Sequence, residues 1–73
     1  MVLVQSGLKR DYIISLLDGQ TIDNITFKLV KHEGMKMFFE YDNEDDALAA
    51  KVAKKTIKES EFGVALFFSV TNV

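Results

Sequence analysis

The stretch DNEDDALAAKVAKKTIK, residues 42–58, decides the fold, because every local signal in it points to one helix. Asp42 or Asn43 offers a side-chain oxygen to the unpaired N–H groups of a first turn. Glu44, Asp45 and Asp46 then put negative charge at the positive end of the helix dipole, and Lys51, Lys54, Lys55 and Lys58 put positive charge toward its negative end. Ala49, Val52, Ala53, Thr56 and Ile57 recur at three- and four-residue spacing, flanked by Leu48, and predict the buried stripe. Gly63 stands where a left-handed C-terminal cap is expected.

Outward from this helix the periodicity changes to two. Met35 to Tyr41 alternates, with Met35, Met37, Phe39 and Tyr41 opposed by Lys36, Phe38 and Glu40. Thr21 to His32 alternates from Ile25, with Ile25, Phe27 and Leu29 on one side and Thr26, Lys28, Val30 and His32 on the other. Asp11 to Leu17 is a β-branched and aromatic mix that reads as a further strand, and Val64 to Val73 as the last. Asp18-Gly19 and Glu33-Gly34 mark hairpin turns. The N-terminal residues 1–8 are expected as an extra short strand at Val2–Val4 or as an arm folding back over the sheet.

The expected architecture is therefore α+β, a two-layer sandwich in the order β-β-β-α-β. Its four-stranded, mostly antiparallel sheet carries one helix on one face. The helix crosses over and returns the last strand parallel to the one before it. Numbering the expected strands in chain order, the sheet reads 3-2-1-4 or 1-2-3-4, with the first preferred.

Composition narrows the function classes. The chain has 73 residues, room for a single domain spanning 1–73, and no cysteine, so disulfides and thiolate metal sites are excluded. A domain this small buries only about 60% of its unfolded surface, which makes self-association a useful source of stability. Net charge is −2, without the basic field of a typical nucleic-acid binder. No apolar run reaches the ~18 residues of a membrane span. No basic leader precedes an apolar stretch, so a cytoplasmic location is expected.

No motif brings a nucleophile to His32, the single histidine, and a lone histidine does not make a catalytic pair. The acidic run Asp42, Glu44, Asp45 and Asp46 lacks the glycine and the spacing of a calcium loop, Ala47 standing in the glycine's place, and helix capping accounts for it. There is no phosphate-binding glycine loop and no nucleophile elbow. The expectation is a non-catalytic domain with no cofactor and no metal.

What remains is a surface. One helix covers one face of a sheet, and alternation leaves Ile13, Leu17, Val30, Phe38, Ala65 and Phe67 on the other. A contiguous apolar patch there marks a contact surface. The candidate interaction face is Ile13, Leu17, Lys28, Val30, His32, Lys36, Phe38 and Phe67. Its expected use is homodimerisation or docking of a protein partner, through the open face or an edge strand. Phe38 and Phe67 among Lys28, Lys36 and His32 also suggest stacking of single-stranded nucleic acid, as in RRM-type sheets. The RRM aromatic signature is absent, the expected strand order differs, and Glu40 falls in the patch, which weighs against that reading. An enzyme with a site formed only at a dimer interface is the third possibility.

Overall fold

The computed structural model describes residues 1–73, the Val64 side chain excepted. Its elements are β1 (Val2–Ser6), α1 (Arg10–Leu17), β2 (Thr21–Ile22), β3 (Ile25–Glu33), β4 (Lys36–Tyr41), α2 (Asp46–Lys58), a 3-10 turn (Gly63–Ala65) and β5 (Phe68–Asn72). The chain is α+β, with a five-stranded sheet in the order β2-β3-β4-β1-β5. All neighbouring strands are antiparallel.

Helix α2 forms where expected, with one adjustment at its start. The N-cap is Asp45, whose carboxylate accepts the Leu48 N–H at 3.0 Å. Asn43 supports the cap by accepting the Asp45 N–H. Ala49, Val52, Ala53 and Ile57 are buried, as the spacing predicts. Gly63 is not a left-handed cap. It lies in the 3-10 turn, packed so closely on the helix end that a Cβ would stand 2.2 Å from the Lys58 carbonyl oxygen.

The expected strand over Asp11–Leu17 is instead helix α1. A short apolar run satisfies both periods, and tertiary packing decides between them. Ile13 and Leu17, four residues apart, are fully buried against the sheet. They therefore belong to the core and are not on an exposed face. Asp18-Gly19 closes the helix, with Gly19 at φ +73, instead of joining two strands.

The sheet positions that the expected first strand was to occupy go to β1. Residues 2–6 are neither an arm nor a cover: Val2–Gln5 pair with β4 and Val2–Ser6 with β5, in the interior of the sheet. Both expected strand orders fail for this reason. β5 does run in the direction of β4, but β1 lies between them. The span Thr21 to His32 is broken by Asp23-Asn24, both at positive φ, as a type I′ turn requires. This turn splits off the two-residue β2.

With β2 set aside, the connectivity is β-α-β-β-α-β in the order β3-β4-β1-β5. This double split β-α-β arrangement is that of ferredoxin-like domains. Fold connectivity alone carries no function.

The two helices pack on the same face. One cluster joins Val2, Val4, Ile25, Phe27, Met37 and Phe39 of the sheet to Ile13 and Leu17 of α1 and to the buried stripe of α2. Burial of such side chains contributes about 1.5–3 kcal/mol each. The opposite face carries no helix.

Candidate functional site

The sheet register locates each predicted surface residue. On the open face, cross-strand rows run Lys28–Glu40 and then Lys31–Phe38–Leu3–Thr71. The next row is Glu33–Lys36–Gln5–Ser69. Lys28, Lys36 and Phe38 therefore share this face, as the alternation predicts. Phe38 is half-buried, and the Lys31 ammonium lies 5.9 Å from its ring centroid. Leu3, beside it on the central strand, is only 8% exposed. The rest of the face is polar, and Lys28 and Lys36 each stand in register with a glutamate.

The other five predicted members of the face lie elsewhere. Ile13 and Leu17 are in the core. A β-bulge between Leu29 and Lys31 holds Val30, and the extra residue reverses the alternation beyond it. His32 consequently pairs with Met37 on the helix side, lines a shallow cavity with Lys9, Arg10, Asp11 and Tyr12, and bonds through Nε2 to the Gly34 carbonyl. Phe67 precedes β5 and stands at a corner of the sheet. From Phe38 it is two strands across and four residues along, roughly 16 Å at ~4.8 Å per strand and ~3.3 Å per residue. The two Phe rings do not form one stacking platform. The objection from strand order to an RRM-like use disappears with the observed topology, and the missing second aromatic takes its place.

The acidic run is occupied by structural work. Asp42 accepts the Thr26 N–H, Asp45 caps α2, and Asp46 accepts the Tyr41 hydroxyl proton. Partial burial, and then the bond to Asp46 and its charge, hold the Tyr41 hydroxyl above its ordinary pKa, against a smaller opposing effect of Asn72. Among the described residues no three acidic or histidine side chains converge as a metal ligand set. None of the helices is long and apolar enough to cross a membrane.

The feature that sequence reasoning placed least well is the edge of the sheet. At one side the outermost strand is the two-residue β2, and the chain running into it covers β3 as far as Leu29. Phe27 exchanges backbone bonds with Gln20 and Gly19, and the Asp18 carboxylate accepts the Leu29 N–H at 2.9 Å. At the other side β5 has no neighbour. Met1 and Val73 exchange both N–H···O bonds, so alternation makes Leu3–Thr71 and Gln5–Ser69 the hydrogen-bonded pairs of the β1–β5 ladder. The N–H and C=O groups of Phe68, Val70 and Asn72 then point away from β1, into solvent.

Proteins usually guard such an edge with charge, proline or a bulge. The strand Phe-Ser-Val-Thr-Asn has none of these. At its start Phe67 is 97% exposed, and at its end Val73 is 61% exposed. The sequence signal was present in the uncharged composition of residues 66–73, but only topology shows which strand lies outermost.

Comparison with models of known protein families, with curated proteins and with solved structures finds no match for this chain.

Proposed function

We propose that this chain is a non-catalytic protein-interaction module that binds by strand addition to the β5 edge. The observation that carries the reading is the asymmetry of the two edges: β3 is covered as far as Leu29 by β2, Asp18, Gly19 and Gln20 and carries the charged Lys31 and Glu33 beyond it, and β5 presents the backbone groups of Phe68, Val70 and Asn72 without charge or proline. An added strand gains main-chain hydrogen bonds, with side chains alternating on either face to give selectivity. The open face supports the same reading through its flank, where Phe67 and Met35 are exposed around a shallow cavity with Gln5 and Ser69.

The test is photo-crosslinking in living cells with benzoylphenylalanine at Ser69 or Thr71, which are exposed beside the edge, and at Thr21 on the opposite edge as control. Adducts from positions 69 and 71 but not from 21 are expected. Val70→Pro removes an outward N–H and should abolish them, and Val70→Ala, which keeps it, should not. Absence of protein adducts at β5, or equal yields at the two edges, would overturn the proposal.

Single-stranded nucleic acid on the open face is the second reading, favoured by Phe38 and the Lys31 ammonium over its ring. Glu33 and Glu40 in register with Lys36 and Lys28 oppose it. Salt-dependent retention of single-stranded RNA, lost in Phe38→Ala, would support it.

A further inference from the structure

Resting on the strand-addition reading, we infer that the occupant of the β5 edge is a second copy of this chain, paired antiparallel about a two-fold axis through Val70. An isologous contact of this kind requires a self-complementary edge, and the geometry supplies one. The outward-facing residues Phe68, Val70 and Asn72 are spaced evenly about Val70. Centring there pairs Val70 with Val70 of the second copy and Phe68 with Asn72 of the second copy. That register forms about six backbone hydrogen bonds; a shift to a Ser69 or Thr71 centre leaves about four.

The same register settles the flanking side chains. Ser69 falls opposite Thr71 of the second copy, a hydroxyl pair on the open face. Phe67 falls opposite Val73 of the second copy, so the side chains that are 97% and 61% exposed in the single chain meet each other.

Charge complementarity on the helix side gives an independent argument. The Asn72 side-chain amide donates to the Asp46 carbonyl at 2.8 Å, which ties the end of β5 to the start of α2. At the other end of the strand, Phe68 lines a cavity with Lys54 and Lys58, near the end of α2. The helix therefore runs antiparallel to β5, and a two-fold axis at Val70 sets α2 antiparallel to its counterpart. Lys54 and Lys58 of each copy then approach Glu44, Asp45 and Asp46 of the other. Neither lysine has a carboxylate within ion-pair distance in the single chain, where Lys31–Glu33 is the one ion pair among the described residues. Ala47 and Ala50 lie on the same side of α2 as Lys54, at three- and four-residue spacing, and their small side chains let the helices approach.

The chain has no cysteine, so disulfide trapping reads the register directly. Ser69 and Thr71 are exposed, and substitutions there leave the core intact. Opposed residues of a non-hydrogen-bonded pair have Cα atoms about 4.5 Å apart, within disulfide range. Ser69→Cys and Thr71→Cys chains mixed in equal amounts and oxidised should give a covalent dimer of the two variants, and each variant alone should stay uncrosslinked. Sedimentation of the wild-type chain should show twice the 8.3 kDa mass of one chain, weakened at high salt and by Lys54→Glu with Lys58→Glu. Trapping of Ser69→Cys or Thr71→Cys with itself would overturn the register, and a wild-type monomer with no trapping would overturn self-pairing. A monomer whose β5 photo-adducts contain a different protein would overturn self-pairing alone and leave strand addition standing.

Discussion

Replacing Gly63 by alanine tests how the end of α2 is locked to the turn that leads into β5. The new Cβ would stand 2.2 Å from the Lys58 carbonyl oxygen, 2.3 Å from that of Ile57 and 2.5 Å from the Lys58 carbonyl carbon. These are backbone atoms, so no change of rotamer relieves the overlap. Gly63 is not at positive φ, and its requirement is one of space alone. Ordinary contact begins at 3.4 Å, so the turn and the helix end must separate by about 1 Å. Such a shift stretches the Gly63 N–H bond to Ser60 at 3.0 Å, the Ser60 N–H bond to Ile57 at 3.2 Å and the Ser60 hydroxyl bond to Ile57. At about 1 kcal/mol each, the loss is ~2–3 kcal/mol. A domain of this size has ~4–11 kcal/mol in total. The expected fall in Tm is roughly 10–20 °C. Urea and thermal unfolding followed by circular dichroism measure it, with Gly7→Ala as control, since a Cβ there meets nothing within 4 Å. A Gly63→Ala chain within about 0.5 kcal/mol of wild type would refute the reasoning, because surface changes away from such contacts fall in that range.

Two further outcomes are expected. The Tyr41 hydroxyl has its pKa raised above 10.0 in the folded chain, so the native state holds this proton more tightly than the unfolded state does. The associated stability is complete below about pH 10 and is lost as pH rises through the folded value; urea midpoints should therefore fall more steeply with pH in wild type than in Tyr41→Phe, and parallel slopes would contradict this. Ile13→Ala should cost about 2–5 kcal/mol, as a truncation in a filled core does, and Phe38→Ala on the open face distinctly less; urea titration giving the reverse order would contradict the placement of α1.

Helix α2 was legible because capping, charge and period agree over thirteen residues, and β4 because its alternation is unbroken. Helix α1 was not, since an eight-residue run with five Tyr, Ile and Leu fits a strand as well as a helix, and only Ile13 and Leu17 meeting the sheet four residues apart decide it. β1 was undervalued for being short, yet Val2, Leu3 and Val4 are apolar without alternation, which suits a strand buried on both faces. The bulge at Val30 leaves no mark in composition, so His32 was assigned to the wrong face. The β5 edge is a property of neighbours distant in sequence. Of the candidate face, Lys28, Lys36 and Phe38 fell together because they lie on β3 before its bulge and on β4, where alternation is intact.

β1 lies between β4 and β5, and its partners sit more than thirty positions away along the chain, Val2 opposite Phe39 on one side and Asn72 on the other. Neither half of the polypeptide holds a complete set of neighbours for its own strands, so a fragment from either half has no sheet of its own to settle into. Ordering the backbone of residues 2–6 must wait for loop closures spanning the chain, whose entropic cost is met before any contact rewards it. Such long-range wiring slows acquisition of the native state compared with helical bundles of equal size. It also makes the loss of structure all-or-none, because detaching the last strand strips support from the first.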